Sequence, residues 1–493
     1  MTPPDATAAA PLAASRPQAW PGDDFPSWLS PMLVKELRQG VQSGIFAWTF
    51  VLLQAAMFIL MTLWLLERSR AGAGPDNGFF HGTFWWLFGI AAVLAIPLRA
   101  GATMVSERQG QTLDLLRLTR LSSTQIVAGK WLSTMAQVAL LAVAVLPYVV
   151  LQYFFGGLDV VADLSLLVLV LLAASVVTAL SIATSGQPAA ARGLLIALFV
   201  YGFFMVNAMG TMLASGLVSA AAWSAVVLVT ALASAVLLEY AAAGIAPAAE
   251  NHAARIRGLV LLAAGLALGA TWFGGPVTVG VLTFFSMALA IGVGAAELTT
   301  DPVPVASIHD RFARFGPPGR LAALVLAPGW ATGVLFLLLA TGLAAAAEIS
   351  AGFGGANRDS LPVIALAAAS VLFPLPLMLF FPSGRKRGTA FVLVGAVSLA
   401  VYALGRAWWG AYGTGSWSGP QNEVVAFLPL PAFFQALFDA SRGAHSAIIV
   451  LPLLVTALSL AFVAPRFLRE MRALLGRLGE AARRRAAGRA ARP

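Results

Sequence analysis

The sequence predicts an all-α polytopic integral membrane protein with about twelve transmembrane helices and both termini in the cytoplasm. Three observations support that fold class. Hydrophobic residues make up 59% of the 493-residue chain and charged residues only 11%, against about 25% charged residues in an average soluble protein. Apolar segments recur along the whole chain, and basic residues collect in alternate connecting segments.

Each predicted span is a mostly apolar segment of about 20 residues, which is the helix length that crosses a hydrocarbon core about 30 Å thick. The first six spans are predicted at residues 44–66, 84–105, 131–155, 161–184, 193–214 and 219–242. The other six are predicted at residues 258–273, 277–297, 323–347, 361–381, 389–404 and 444–464.

These spans divide the chain into four regions. Residues 1–27 are expected to form a flexible cytoplasmic tail, and residues 28–242 a six-helix membrane domain that contains the loop 106–130. Residues 243–464 form a second six-helix membrane region, which we interpret as a degenerate repeat of the first. Residues 465–493 form a basic cytoplasmic tail.

The orientation follows from the basic residues, because cytoplasmic loops carry an excess of Lys and Arg. An inside N-terminus places 26 of the 31 basic residues on the cytoplasmic side, nine of them in the tail. We expect the tail to contact anionic membrane lipid and not nucleic acid. The expected location is a bacterial inner (plasma) membrane. Arginine supplies 28 of the 31 basic residues, which we attribute to a GC-rich genome and not to function.

Several chemistries are absent from the sequence. The chain has no cysteine, which excludes disulfides and thiolate metal sites. The predicted spans carry essentially no ionisable residue near the bilayer midplane, which disfavours an ion- or proton-coupled carrier. A phosphate-binding loop needs Gly, four residues and then Gly-Lys-Ser/Thr. The nearest segment, Gly129-Lys130-Trp131 with Thr124 in the first Gly position, does not match. We therefore expect no catalytic residue, metal site or cofactor in this chain.

The most informative segment lies between the second and third spans. Glu107 and Arg108 follow the second span, Gly110 allows a turn, and a short amphipathic helix is predicted next. Ser122 and Gln125 then have the spacing of a capping box at the start of the third span. The short helix contains the residues Thr112, Leu113, Asp114, Leu115, Leu116, Arg117 and Leu118.

An interfacial helix is predicted just before the first span. Leu33, Leu37 and Val41 recur at helical spacing, and Lys35 and Arg38 suit lipid headgroups. The polar stretch of this helix contains Lys35, Glu36, Leu37 and Arg38.

These two segments resemble the permease subunits of ATP-binding-cassette (ABC) transporters of the type-2 exporter class. That family shows Glu-Arg followed by Gly-x-Thr-Leu-acidic-Leu-Leu, a Ser-rich turn and Gly-Lys before the next span. The match runs from Glu107 through Lys130. The resemblance covers residues 31–155 and extends more weakly to residue 242.

The resemblance implies that the loop between the second and third spans forms a coupling helix that docks into a groove on a separate ATPase subunit. The partner subunit would bind the ATP. Gly110 would set the turn, and Glu107, Asp114 and Arg117 would orient the helix. The apolar docking contacts would come from Leu113, Leu115, Leu116 and Leu118. The pathway would be built by one chain or by a homo- or heterodimer with another permease.

Other interpretations of these segments remain open. The loop 106–130 is alternatively a solvated loop whose leucines lie on the membrane. A second coupling element is predicted between spans eight and nine, where Ser307 and Asp310 have capping-box spacing and Ile308, Phe312 and Phe315 share one helical face; an ordinary inner loop is its alternative. For the whole chain, the alternative functions are a membrane-embedded enzyme and a non-transporting membrane partner, each acting on lipid-linked substrates.

Overall fold

The computed structural model describes residues 31–71, 78–110, 122–156, 160–186, 220–247, 250–273, 276–298, 305–351, 360–381, 386–398, 400, 429–430, 432 and 446–490. These residues are almost entirely helical, and no strand occurs among them. The all-α class predicted from the sequence is therefore confirmed.

The first half of the chain begins with a short helix and continues as a series of long ones. Its helices are α1 (Pro31–Val41), α2 (Gly44–Ala71), α3 (Gly78–Gly89), α4 (Ile96–Gln109), α5 (Ser123–Gly156), α6 (Val160–Ala183) and α7 (Ala220–Ala243). A π-helical turn, Ile90–Ala95, joins α3 to α4. It lies just before Pro97, whose ring and missing N–H disturb regular α-helical hydrogen bonding.

The second half alternates long and short helices. They are α8 (His252–Phe273), α9 (Pro276–Leu298), α10 (Ala306–Ala313), α11 (Gly316–Leu326), α12 (Trp330–Ala351), α13 (Ser360–Leu372), α14 (Leu375–Leu379) and α15 (Ser446–Ala490). Residues 386–398 are also helical.

Nine helical segments in the described ranges are long and apolar enough to cross a membrane. They correspond to nine of the twelve predicted spans, as expected of a polytopic membrane protein. The predicted span 193–214 lies outside the described residues, and only residues 389–398 and 400 of the span 389–404 are described. The span 361–381 is broken into α13 and α14, and its apolar helical segment is shorter than those of the nine. The count of twelve is therefore not confirmed.

The predicted start of the span 323–347 is wrong, because its apolar helix runs from Trp330 to Ala351. Helix α11 ends at Leu326, and α12 begins at Trp330. Pro328 cannot continue a helical hydrogen-bond series, and Gly329 has a φ of 133°, which side-chain-bearing residues rarely adopt. The predicted Ser307–Asp310 cap is also wrong, because α10 has Val305 at its N-cap and no side-chain capping hydrogen bond.

Two apolar cores hold the bundle together. In the first half, α2, α3, α5 and α6 pack around fully buried side chains that include Met57, Phe88 and Leu141. In the second half, α8, α9, α12 and α13 pack around residues such as Phe336 and Leu337. A smaller cluster of α7, α8, α9 and α12 joins the halves, and it consists largely of alanine and valine, which allow close helix packing.

Successive helices from α4 to α9 are antiparallel, except that α6 and α7 are parallel, since their last turns, at Ile182 and Ala241, lie in one cluster. The ends of these helices therefore lie at two opposite ends of the bundle. We call the end that contains Glu36, Gln109 and Ser123 the base, and the opposite end the far end. Helix α15 has 45 residues, a length of about 67 Å at 1.5 Å per residue. Because the hydrocarbon core is only about 30 Å thick, α15 is long enough to extend well beyond the base.

Candidate functional site

The candidate site lies at the base, where a buried lysine joins three helices. Lys130 Nζ lies 2.7 Å from Glu107 Oε1, near the end of α4, and 3.1 Å from Glu36 Oε2, on α1. Only 3% of the Lys130 side chain is exposed. The structure therefore brings together one residue from each of the three motif segments: the interfacial helix, the Glu-Arg pair and the Gly-Lys pair. We call Glu36, Glu107 and Lys130 the base triad.

The base triad constrains the geometry of its helices because a buried ammonium group tolerates few arrangements. Removing such a group from water costs several kcal/mol, and only close opposite charges and hydrogen bonds offset that cost. Two carboxylates at ion-pair distance meet the requirement here. A displacement of α1, α4 or α5 that broke either contact would leave a charge in a poorly hydrated position.

A second polar contact set reinforces the triad. Arg99, on α4, donates hydrogen bonds of 3.0 Å to the Gly40 carbonyl oxygen on α1 and to Gln137 Oε1 on α5. A methyl group at Gly40 would overlap the Gln137 amide, so glycine permits the close approach of α1 to α5. The polar groups leave a small cavity lined by Glu36, Gly40, Arg99, Lys130, Ser133 and Gln137.

The start of α5 is fixed by the predicted capping box, which the structure confirms. The Ser122 backbone N–H donates to Gln125 Oε1 at 3.0 Å, and the Gln125 backbone N–H donates to Ser122 Oγ at 3.3 Å. On the other side of the loop, α4 ends at Gln109, and the Gly110 N–H donates to the Ser106 carbonyl at 2.8 Å. Both ends of the segment 111–121 are therefore anchored.

A histidine cluster lies beside the start of α5 and connects the two halves of the chain. His252 Nδ1 lies 2.7 Å from Glu239 Oε2, and Nε2 lies 2.9 Å from Glu250 Oε2. Ser123 Oγ donates to Glu250 Oε2 at 3.1 Å and lies 3.4 Å from His252 Nε2. Ser123 and His252 are buried. Each ring nitrogen of His252 therefore lies within hydrogen-bond distance of a carboxylate oxygen.

The electrostatics of the histidine cluster favour an ionised Glu250. The hydrogen bond from His252 holds the pKa of Glu250 below its usual value, and the Ser123 hydroxyl and the nearby charge of Arg255 act in the same direction. Partial desolvation opposes them. The cluster holds the start of α8 against the start of α5.

The predicted coupling residues lie in different places. Glu107 belongs to the base triad, Arg108 lies in the last turn of α4, and Gly110 follows that helix. The short helix predicted at residues 112–118 lies outside the described residues, and with it the residues Thr112, Leu113, Asp114, Leu115, Leu116, Arg117 and Leu118.

The segment predicted to be an interfacial helix is helical, as α1, and its position at a membrane interface stays a prediction. Lys35 and Arg38 are exposed, as expected of residues that contact headgroups, and Leu37 is half-buried. Glu36 differs, because it turns toward α5 and pairs with Lys130. The sequence placed Glu36 on this helix without predicting that contact.

The predicted second coupling element lies mostly in α10, and its apolar face packs within the same chain. Ile308 is buried, and Phe312 packs against a cluster that contains Leu474 and Leu478 of α15. Phe315, just after α10, is 67% exposed. Asp310 is exposed, and its backbone carbonyl accepts a hydrogen bond of 3.4 Å from Arg485. Docking of a partner at this element remains a prediction.

Sequence reasoning missed the most buried charge among the described residues. Arg257, on α8, is 0% exposed and pairs with Glu297 of α9 at 3.0 Å. Its guanidinium also donates to the carbonyl oxygens of Val325, Ala327 and Gly329. These bonds satisfy the backbone where the chain breaks between α11 and α12. The histidine cluster was missed as well. The sequence carried one signal for both groups, since their charged residues lie at or beside the ends of predicted spans on the predicted cytoplasmic side.

No family model, curated protein or solved structure matches this chain. Its function is therefore inferred from its own sequence motifs and from the geometry of the base.

Proposed function

We propose that this chain is the permease subunit of an ABC transporter of the type-2 exporter class. It moves its substrate across the inner membrane while a separate subunit binds and hydrolyses ATP. The observation that carries the proposal is the motif at residues 107–130, whose first and last residues form the 2.7 Å Glu107–Lys130 ion pair.

The contacts of the base suggest how movement of a docked subunit reaches the spans. The segment 111–121 would hold the docking helix, and its two ends continue into α4 and α5. Coupling between distant sites is carried by packed side chains, ion-pair networks and rigid helices. The base triad supplies such a network, because a shift of either end of the loop also acts on α1 through Glu36.

Within the docking helix, the roles follow the family resemblance. The apolar side chains of Leu113, Leu115, Leu116 and Leu118 contact the partner's groove, and Asp114 and Arg117 orient the helix. An amphipathic helix in an apolar groove is a common recognition mode. No ATP is bound by this chain.

The test is recovery of the partner. The full-length chain, tagged and purified in mild detergent from its own host, should retain an ABC-type ATPase subunit that mass spectrometry identifies. Leu116→Glu should abolish retention, because a carboxylate cannot enter an apolar groove without a large desolvation cost.

The matched control is Leu321→Glu, which places the same charge at a leucine that is 68% exposed on α11. It should leave retention unchanged. The proposal fails if no ATPase is recovered with the unmodified chain, or if Leu116→Glu and Leu321→Glu retain it equally well.

A second candidate function is a membrane-embedded enzyme that acts on lipid-linked substrates. One observation favours it: the histidine cluster places a serine hydroxyl, an imidazole and two carboxylates together at the base. A fluorophosphonate probe that labels the unmodified chain but not Ser123→Ala would support a nucleophilic serine. Absence of labelling in the unmodified chain would reject that chemistry.

A further inference from the structure

A small cavity near the far end is lined mostly by apolar side chains and by two polar ones, His81 and Gln152. It lies between α2, α3 and α5, and the residues that line it include Leu60, Trp64, Phe80, His81, Phe84 and Gln152. Its free space is about 10 Å³, close to the minimum that admits one water-sized group. His81 is 25% exposed, so the cavity lies close to the surface at this residue.

Two hydrogen-bond acceptors at this cavity are without partners among the described residues. The Gln152 side chain is buried, with 6% exposure, and its Oε1 accepts no hydrogen bond. His81 Nε2 lies 3.3 Å from Asp163 Oδ1, which requires the proton on Nε2 in the neutral ring and leaves Nδ1 as an acceptor. Nδ1 is also buried and without a partner. Buried acceptors without donors are rare in folded proteins.

The charge near the cavity selects among ligands. Asp163, on α6, is 2% exposed and accepts a hydrogen bond of 3.2 Å from Trp85 Nε1. Its carboxylate lies directly behind His81 and disfavours an anion. Aromatic rings, here those of Trp64, Phe80 and Phe84, attract cations through their negative faces. A cation that also donates hydrogen bonds satisfies every group at the site.

The size and depth of the cavity narrow the ligand further. An ammonium group is water-sized and carries three N–H donors, whereas a trimethylammonium group is larger and has none. Phe80, His81 and Asp163 lie in the first turns of α3 and α6, and Gln152 lies in the last turn and a half of α5. In a membrane-spanning bundle, these positions fall near the level of the lipid headgroups.

We propose that the cavity between α2, α3 and α5 binds a primary ammonium group, with Gln152 Oε1 and His81 Nδ1 as its acceptors and Asp163 as the nearby countercharge. The same chemistry is presented by an aminoethyl lipid headgroup and by a small soluble amine. The site does not depend on the ATPase partnership, since none of its residues belongs to the base or to the loop 106–130.

The experiment measures binding to the full-length chain in nanodiscs. Phosphatidylethanolamine should bind at least about tenfold more tightly than phosphatidylcholine, because only the former donates charged hydrogen bonds to the two acceptors. Gln152→Leu should remove that preference. The control is Gln54→Leu. Gln54 is a glutamine of α2 that does not line the cavity, and its side chain donates a hydrogen bond to the Ala144 carbonyl oxygen. This variant should keep the preference for phosphatidylethanolamine.

Three further outcomes decide the proposal. Competition by free ethanolamine at millimolar concentration would identify a soluble amine as the ligand source and support the site. Equal binding of the two lipids by the unmodified chain, or an unchanged preference in Gln152→Leu, would overturn it. Circular dichroism of each variant distinguishes lost binding from lost fold. ATPase retention by Gln152→Leu should be normal, which separates this test from that of the proposed function.

Discussion

Replacing Lys130 with methionine tests whether the base triad holds the bundle together. The substitution keeps a long side chain but removes the ammonium group between Glu36 and Glu107. Two carboxylates then face each other at a partly buried position without their shared cation. We expect the purified chain to lose stability through this uncompensated charge, with little change in packing volume.

The size of the loss follows from burial. Removing one partner of a buried ion pair typically costs 3–5 kcal/mol. Glu36 and Glu107 are 13% and 22% exposed, so water partly solvates them and the lower end applies. The expected loss is about 3 kcal/mol, or roughly 150-fold in the ratio of folded to unfolded chain.

The assay is unfolding in mixed micelles with increasing SDS, followed by circular dichroism. The exposed Lys35 serves as the matched control, and Lys35→Met should change the free energy of unfolding by less than about 0.5 kcal/mol. A triple variant, Lys130→Met with Glu36→Gln and Glu107→Gln, should recover most of the loss because no charge is then left uncompensated.

Two results would refute this reasoning. A loss below about 1 kcal/mol in Lys130→Met would mean that the ion pairs contribute no more than surface pairs do. A triple variant as unstable as Lys130→Met would mean that lost packing, not charge, causes the effect.

Three further predictions concern the rest of the bundle. Arg257→Met should cost about 3–5 kcal/mol, measured by the same unfolding assay, because it removes the cation that pairs with the Glu297 carboxylate and the donor to the Val325 carbonyl oxygen. Gly101→Ala should cost about 1–3 kcal/mol, since its methyl group would overlap the Ser181 backbone, whereas Gly258→Ala meets nothing and should be neutral or stabilising. Because the folded state lowers the pKa of Glu250 below 4.5, that carboxylate stabilises the fold above pH 4.5, and the stabilisation is lost as the pH falls below 4.5 through the folded pKa.

Each of these predictions has a contrary outcome. An Arg257→Met variant as stable as the unmodified chain would show that the buried ion pair with Glu297 does not stabilise the fold. Equal unfolding curves for Gly101→Ala and Gly258→Ala would show that α4 and α6 can separate without cost. For the pH prediction, the comparison is with Glu250→Gln, whose stability should vary less with pH below 4.5; identical pH profiles would contradict it.

Much of the fold was predictable because helix formation in an apolar segment depends on local sequence. Segments of about 20 apolar residues satisfy their backbone hydrogen bonds only as helices when water is absent, and nine predicted spans have helical counterparts. The capping box at Ser122 and Gln125 was predictable for the same reason, since its partners lie three residues apart. The break at Pro328 and Gly329 was missed because hydropathy averages over such residues.

The candidate site was predictable only in part. A local motif singled out each residue of the base triad. Lys130 lies 94 positions from Glu36 and 23 from Glu107 in the sequence, and separations of this size do not predict a contact. His252, at the start of α8, contacts Glu239 near the end of α7 and Glu250 in the turn between the two helices. No sequence motif predicts these contacts.

The sequence by itself determined the all-α class, the positions of most long helices and the location of the motif segments, because each depends on residues within a few turns of one another. Only the tertiary structure decided which charges are buried and with what partners. A lysine, an arginine or a histidine at a span end has the same local sequence signature whether it faces water, headgroups or another helix. The cost of burying its charge is met only when distant segments bring carboxylates or carbonyl oxygens within hydrogen-bond distance.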